Sequence, residues 1–296
     1  MTVALRAVRV SVSGALVAVL MTGCGGSSNS PTPIIPPPSS GPPSSGPAVN
    51  LAPVIDGITV DAERTEVNTD VSLTAVVKDE ETSVDQLKFE WKADVGTFNG
   101  EGPSVKWRAP TDITTPADHT ITLTVTETYG APDALGARPQ NVSTATSPAI
   151  RVHNSSKELG DMSILFLKDF ANSSTPTSAC LRNFSDSCPG KAEEKIDIDM
   201  NRAYLEILSS SLNLRSVTIG SSRTTAKMSV ACAFTSRIVK CPPPGPDSSA
   251  CVVGSVESVR GDCALTGIYE QRRWWLCDSH FNGDPTAAVR RLFGIH

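Results

Sequence analysis

Val71-Ser72-Leu73-Thr74-Ala75-Val76-Val77 is the segment that decides the fold class of the first half of this chain. Its odd-numbered residues are all apolar, whereas two of its even-numbered residues are Ser and Thr. This alternation predicts a strand with one buried face. The pattern returns in Leu87–Ala93 and in Thr120–Val125, with turn-forming segments between them. Short half-buried strands at this spacing predict an antiparallel β-sandwich over residues 51–153.

Five short segments of this region also follow a recognisable family pattern. They are Pro53-Val54-Ile55, Leu73-Thr74-Ala75, Phe89-Glu90-Trp91, Val105-Lys106-Trp107-Arg108-Ala109-Pro110 and Thr120-Ile121-Thr122-Leu123-Thr124-Val125. Together they resemble the bacterial immunoglobulin-like and PKD-type modules. The resemblance implies that Trp91 is the core tryptophan between the sheets, without the immunoglobulin disulfide. It implies use as a spacer, an adhesion module or a carbohydrate-binding partner, and it names no single ligand.

Residues 154–296 have a different rhythm, in which helices precede strands. Apolar residues at helical spacing predict one helix in Met162–Ala171 and another in Lys191–Arg202. The predicted strands are Tyr204–Leu208, Leu214–Ile219, Ala226–Phe234, Ala250–Val259, Cys263–Glu270 and Arg273–Phe281, the last two joined by a tight turn near Gln271-Arg272. Helices followed by a long antiparallel sheet indicate an α+β domain.

The arrangement of this second domain is also familiar. The segments concerned are Phe166-Leu167-Lys168-Asp169-Phe170, Gly190-Lys191-Ala192-Glu193-Glu194, Asn201-Arg202 and Trp274-Trp275-Leu276-Cys277-Asp278-Ser279-His280-Phe281. Their order resembles the cystatin-like, nuclear-transport-factor-two-like fold, in which a curved sheet wraps around helices and leaves a cone-shaped pocket. That fold family includes isomerases, dehydratases and catalytically silent binding domains.

Cysteine usage is confined to one domain apart from a single residue near the start, Cys24. The other seven are Cys180, Cys188, Cys232, Cys241, Cys251, Cys263 and Cys277. Such clustering favours a disulfide framework made in an oxidising compartment, and the odd number leaves at least one thiol free or paired with another chain. The proline-rich loop between Cys241 and Cys251 suggests that these two are bridged, and the remaining connectivity stays open. Zinc is the alternative, but no CxxC occurs and the spacings fit no common finger.

Asp278 and His280 are the candidate catalytic residues. They lie two apart at the end of the last predicted strand, so both side chains project to the same face. A carboxylate beside an imidazole suits general acid–base chemistry, to which Tyr269 or Glu270 could contribute. A hydrated strand end is the alternative, and we favour it. The sequence therefore assigns no catalytic residue, no metal and no cofactor.

Two further motifs near these residues have simpler interpretations. Arg260-Gly261-Asp262 spells the integrin-binding tripeptide, but Gly-Asp suits a turn, and we expect it at a hairpin tip. Trp274 and Trp275 face opposite ways on a strand, so we expect one of them in the core. The other is a candidate platform for a sugar or a lipid.

Residues 1–23 have the pattern of a secretory signal peptide. Arg6 and Arg9 precede the apolar run Val10–Met21, which is too short to span a bilayer. The segment Leu20-Met21-Thr22-Gly23-Cys24 resembles the bacterial lipoprotein lipobox, although Met21 stands where that family prefers Leu. The resemblance implies cleavage before Cys24 and acylation of Cys24 with diacylglycerol and an amide-linked chain such as palmitate. An ordinary secretion signal with an incidental cysteine is the alternative.

Residues 24–50 form the expected lipid anchor and tether. They are almost wholly Gly, Ser and Pro, so they cannot bury enough apolar surface to fold, and they extend to roughly 80 Å at most. Gly25 is not the Asp that retains enterobacterial lipoproteins at the inner membrane, which favours the outer membrane. The chain has 26 Lys and Arg against 31 Asp and Glu, so no basic footprint indicates nucleic acid.

We therefore expect a bacterial envelope lipoprotein whose partners are membrane lipid, through acylated Cys24, and an envelope protein or a carbohydrate. The leading expectation is a non-catalytic binding, adhesion or scaffolding protein. The alternative is a small-molecule carrier or enzyme with a pocket in residues 154–296. A pocket lined by Asp278 or His280 favours this alternative, whereas a pocket filled by Trp274 or Trp275 favours the leading expectation. A structural role in a larger complex would use an exposed free thiol or a sandwich edge.

Overall fold

The computed structural model describes residues 49–241 and 251–283. The expected signal peptide, Cys24 and most of the tether lie outside these residues. Two apolar cores occur in the described part, one formed by residues between 58 and 152 and the other by residues between 159 and 276. Within the described ranges, no helix is long and apolar enough to cross a membrane.

The first core lies in a region made of strands. The strands are β1 (Val54–Val60), β2 (Arg64–Glu66), β3 (Asp70–Lys78), β4 (Lys88–Lys92), β5 (Thr97–Asn99), β6 (Ser104–Arg108), β7 (Ala117–His119), β8 (Thr122–Thr128), β9 (Gln140–Thr146) and β10 (Ile150–His153). They form three sheets, in the orders β1-β3-β6-β5, β4-β8-β9 and β2-β10-β7. Only β2 and β10 run parallel among these paired strands.

The alternation in Val71–Val77 is confirmed, because the four odd-numbered side chains of β3 are buried. The core tryptophan, however, is Trp107 and not Trp91. Trp107 has no exposed surface and donates its indole N–H to the Val95 carbonyl at 3.0 Å, whereas Trp91 is half-buried. The reason is topological, since Trp107 lies on the interior strand β6 and Trp91 on the edge strand β4. Gly96 has φ +82°, and a Cβ there would lie 2.4 Å from the Trp107 Nε1.

The second core lies between helices and one sheet. The helices are α1 (Ser155–Ala171), α2 (Thr177–Cys180) and α3 (Gly190–Tyr204), and the strands are β11 (Leu205–Ile219), β12 (Thr225–Ile238), β13 (Val256–Glu270) and β14 (Arg273–Gly283). The strands form one antiparallel sheet in chain order. Helix α1 begins seven residues before the predicted Met162 because the Asn154 side chain caps it by accepting from the Lys157 N–H at 3.1 Å.

Two pairs of predicted strands are each one continuous strand. β11 absorbs two register shifts, between Ile207 and Ser209 and between Leu214 and Ser216, without interrupting its pairing with β12. β13 likewise runs through Arg260-Gly261-Asp262, so the expectation of a hairpin tip at this motif is wrong. A glycine is required there because a Cβ on Gly261 would lie 2.4 Å from the Asn282 carbonyl oxygen.

The predicted turn after β13 is confirmed. Gln271 and Arg272 have φ values of 50° and 62° and join β13 to β14. Positive φ at both central residues is the geometry of a type I′ hairpin, whose twist matches the flanking strands. The hairpin therefore forms without the Asn-Gly pair that usually indicates it.

Three disulfides staple this region, as its cysteine content predicts. They are Cys188–Cys277, Cys232–Cys263 and Cys241–Cys251, which includes the one pairing suggested by the sequence. Cys180 is unpaired and buried. Six of the seven clustered cysteines are bridged, so they are not available as zinc ligands.

A polar cluster joins the strand-rich region to the helices and the second sheet. The fully buried His153 ring lies 2.8 Å from the Glu158 carboxylate and 3.1 Å from the Tyr269 hydroxyl. The Arg64 guanidinium stacks 3.5 Å from the centre of the Tyr269 ring and donates to the Arg223 carbonyl at 2.7 Å. The contact is thus made of oriented polar groups around an aromatic ring.

Candidate functional site

A cavity of about 370 Å³ lies between helices α1 and α3 and one face of the sheet. Its walls are mainly apolar. α1 contributes Phe166 and Phe170, β12 contributes Phe234, and β14 contributes Phe281. Four aromatic rings around one space make a surface suited to an apolar or aromatic molecule.

One carboxylate lies deep in this apolar surface. Glu194 of α3 is only 7% exposed and accepts a 2.5 Å hydrogen bond from the Ser279 hydroxyl. Burial raises the pKa of Glu194 to about 7, and the charges of Asp197 and Asp278 act in the same direction, while the Ser279 hydrogen bond opposes them. Glu194 therefore changes its charge near neutral pH.

The rim of the cavity is polar. Asp197 follows Glu194 by about one helical turn and is exposed, and burial of part of its carboxyl, together with the charge of Glu193, raises its pKa. Across from it on β14, the His280 Nε2 lies 2.8 Å from the Asp278 carboxylate. His280 lines the cavity, whereas Asp278 does not.

Asp278 and His280 share a face, as their spacing predicts, but it is not the face of the buried side chains before them. Leu276 pairs with Gly267 and Asp278 with Thr266, so Cys277 has no partner on β13 and forms a bulge. The bulge switches the alternation, so Ser279 and Phe281 face the cavity, which Asp278 does not line and His280 lines at its rim. A catalytic role for Asp278 and His280 stays the untested alternative to the hydrated strand end that we favour.

The bulge is held against the start of α3. Cys277 is bridged to Cys188, two residues before the helix begins. Gly190, the first residue of α3, packs so closely that a Cβ there would lie 2.5 Å from the Cys277 carbonyl oxygen. The disulfide and this close contact hold the start of α3 against β14, so that Glu194 lies opposite Ser279.

Tyr269 and Glu270, named as possible contributors, do not line the cavity. Tyr269 belongs to the polar cluster around His153. Glu270 accepts hydrogen bonds from Ser185 and Ser187 near the start of α3. Both residues therefore have structural contacts elsewhere.

Neither tryptophan of β14 fills the cavity. Trp274 is the expected core residue, 1% exposed, and donates to the Ser155 hydroxyl at 2.7 Å. Trp275 is half-buried beneath the Arg273 guanidinium, which lies 3.8 Å from its ring centre. The space between α1, α3 and the sheet is thus left open.

Glu194 is the residue that sequence reasoning missed. The buried positions of α3 are Gly190, Glu194 and Ile198, which recur every four residues and form one helix face. A carboxylate on the apolar face of an amphipathic helix was the available signal. It was obscured by the adjacent, exposed Glu193.

Comparison with known proteins gives little further guidance. No protein-family model matches this chain. No curated protein matches it. Among solved structures, a protein from Novosphingobium aromaticivorans, described provisionally as an aromatic ring hydroxylase, is similar at 15% identity over 44% of this chain and 92% of that one, with a TM-score of 0.31. A TM-score this low supports no statement about this chain.

Proposed function

We propose that this protein is a membrane-anchored envelope protein that binds a small, largely apolar molecule in the cavity between α1, α3 and the sheet. The observation that carries the proposal is the cavity itself, an open space of about 370 Å³ with aromatic walls and one buried carboxylate. Its size lies within the range of small-molecule sites, and its few convergent polar groups are typical of them.

This proposal replaces adhesion or scaffolding as the leading interpretation. A pocket filled by Trp274 or Trp275 would have favoured that role, but the cavity is lined by His280 and by neither tryptophan. An interchain disulfide has little support because the unpaired Cys180 is buried. We retain the immunoglobulin-like identity of residues 51–153 and the cystatin-like identity of residues 154–296 as parts of the proposal.

Binding is tested with N-phenyl-1-naphthylamine, an apolar dye whose fluorescence rises in apolar surroundings. The protein is the mature chain carrying Cys24→Ser, so that neither lipid nor detergent competes. Ser236 lines the cavity and is buried, and we expect Ser236→Phe to fill the space and abolish the fluorescence increase. Ser258→Phe, on an exposed position of the neighbouring strand, is the matched control and keeps it.

Met200→Trp provides a second variant at the partly exposed rim, in case Ser236→Phe does not fold. We expect it to weaken dye binding while the thermal unfolding temperature stays close to that of the parent. Dye binding that is unchanged in both cavity variants contradicts the proposal.

The anchor is tested separately, because Cys24 lies outside the described residues. Cells grown with an alkyne-labelled fatty acid should incorporate the label into the wild-type chain and not into Cys24→Ser. The variant should also move from the membrane to the soluble fraction of the envelope. Equal labelling of both chains contradicts the lipoprotein assignment.

A further inference from the structure

The charge around the cavity is unbalanced. Two carboxyl side chains of α3, Glu194 and Asp197, line it. Of the described residues in its walls, none is Lys or Arg, and His280 already pairs with Asp278. A ligand in this space therefore meets a negative potential from the protein.

The position of Glu194 makes this charge specific to the inner part of the cavity. Glu194 is 7% exposed, and its carboxylate accepts a 2.5 Å hydrogen bond from the Ser279 hydroxyl. Deprotonated Glu194 has no cation beside it among the described cavity residues. A buried carboxylate without a cationic partner is costly, so a cation supplied by a ligand would stabilise it.

We propose that the cavity binds an amphipathic cation, whose apolar body packs against Phe166, Phe234 and Phe281 and whose ammonium group contacts Glu194. This inference rests on the proposed function and deepens it. The aromatic walls favour the same ligand class, because a cation is attracted to the face of an aromatic ring. An anionic ligand would instead meet Glu194 and Asp197 as like charges.

The inference carries a pH dependence. Burial raises the pKa of Glu194 to about 7, and a bound ammonium group favours the deprotonated form. Binding below neutral pH therefore requires proton release, and the affinity should rise about tenfold per pH unit up to about pH 7. Above about pH 7 the affinity should level off, until the amine of the ligand itself deprotonates at about pH 10.

Other titratable side chains also lie near Glu194. Asp197 on α3 and Glu257 on β13 line the cavity, and Asp278 on β14 acts on Glu194 through its charge. His280 on β14 also lines the cavity, and its Nε2 lies 2.8 Å from the Asp278 carboxylate. The contribution of Glu194 is isolated by substitution.

The test compares two probes of equal shape, 2-(1-naphthyl)ethylamine and 2-(1-naphthyl)ethanol, by isothermal titration calorimetry on the mature Cys24→Ser chain. At pH 8 we expect the amine to bind about tenfold more tightly than the alcohol, as a charge-assisted hydrogen bond to a buried carboxylate implies. Glu194→Gln should remove most of this preference and most of its rise below pH 7. Glu193→Gln removes the same charge from the adjacent exposed residue and should leave both unchanged.

The outcomes separate this inference from the proposed function. Equal binding of amine and alcohol, or tighter binding of the alcohol, overturns the cation inference and leaves the cavity as a binding site. An undiminished preference in Glu194→Gln overturns the role of Glu194. Failure of both probes, together with failure of the dye, overturns the proposed function itself.

Discussion

Glu194 affects stability as well as binding, because its carboxylate is charged at a buried position. Its pKa is about 7 in the folded chain against an ordinary value of 4.5. Between these values the folded state holds a proton that the unfolded state has lost, so stability falls as the pH rises across this window and levels off above it. The difference corresponds to on the order of 3 kcal/mol.

We therefore expect Glu194→Gln to raise the free energy of unfolding at pH 8 by up to about 3 kcal/mol and to change it little at pH 4. Urea denaturation at the two pH values measures this. Glu193→Gln should show no such pH-dependent gain. A Glu194→Gln chain that is less stable than wild type at pH 8 would contradict the burial of this charge.

The two tryptophans of the first core differ in a measurable way. Trp107 is fully buried and Trp91 half-buried, so Trp107→Ala should cost about 3–5 kcal/mol and Trp91→Ala clearly less. Urea denaturation followed by circular dichroism measures both without relying on the deleted fluorophore. An equal or reversed order would place the core tryptophan at Trp91, as the family resemblance implied.

At the residue scale, alternation predicted burial well wherever strands are regular, as in Val71–Val77. The family resemblance implied Trp91 as the core tryptophan and was wrong, because strand order decided between Trp91 and Trp107. Alternation also could not anticipate the bulge at Cys277, because an extra residue leaves no mark in the hydrophobic pattern. That bulge decides that Ser279, and not Asp278, faces the cavity.

Among the elements, the disulfide Cys188–Cys277 has the largest expected effect. It closes a sequence separation of 89 residues and fastens the start of α3 to β14, whereas Cys241–Cys251 closes only 10. In the chain-entropy model the first is worth roughly 4 to 5 kcal/mol and the second roughly 3 kcal/mol.

We expect Cys188→Ser with Cys277→Ser to lower the free energy of unfolding by roughly 4 kcal/mol and to weaken dye binding, because Glu194 and Ser279 are no longer held opposite each other. The double replacement of Cys241 and Cys251 should cost less and leave dye binding intact. Chemical denaturation and dye titration of the two variants give the comparison. Equal loss of binding in both would contradict a local clamp.

Element boundaries were predicted unevenly for physical reasons. The helix in Lys191–Arg202 was found because its apolar positions recur regularly. The first two turns of α1 were missed because Ser155-Ser156-Lys157-Glu158 has no apolar periodicity, and a capping side chain starts the helix there. β13 was divided because Arg260-Gly261-Asp262 has turn composition, whereas Gly261 is needed for close contact with β14.

At the scale of the whole molecule, Arg64 is one of the residues that join the two cores, together with the His153–Tyr269 contact. It contacts Tyr269 and the Arg223 carbonyl, both in the second region, from β2 in the first. We expect Arg64→Ala to separate one calorimetric unfolding transition into two, because each core keeps its own packing. Arg237→Ala removes an exposed ion pair with Glu206 and should preserve a single transition. An unchanged single transition in Arg64→Ala would show that other contacts couple the cores.

The polar cluster of His153, Glu158 and Tyr269 that joins the two cores could not be predicted from the sequence. His153, Glu158 and Tyr269 are each unremarkable in isolation, and Tyr269 is separated from His153 by 116 residues. No periodicity relates such positions. The hydrophobic patterns of the two halves nevertheless predicted a mostly β chain. The clustered cysteines predicted disulfides in the second half.

The unpaired thiol of Cys180 can report on opening of the helices. Cys180 is buried, its thiol contacts the Arg202 guanidinium at 3.1 Å, and burial raises the pKa of that thiol, so it is a poor nucleophile while the helices stay closed. In the Cys24→Ser chain Cys180 is the one cysteine outside a disulfide. The rate at which it is alkylated therefore measures how often the helices open away from the sheet. A molecule bound beneath those helices would slow this alkylation, so its binding could be followed without a fluorescent dye.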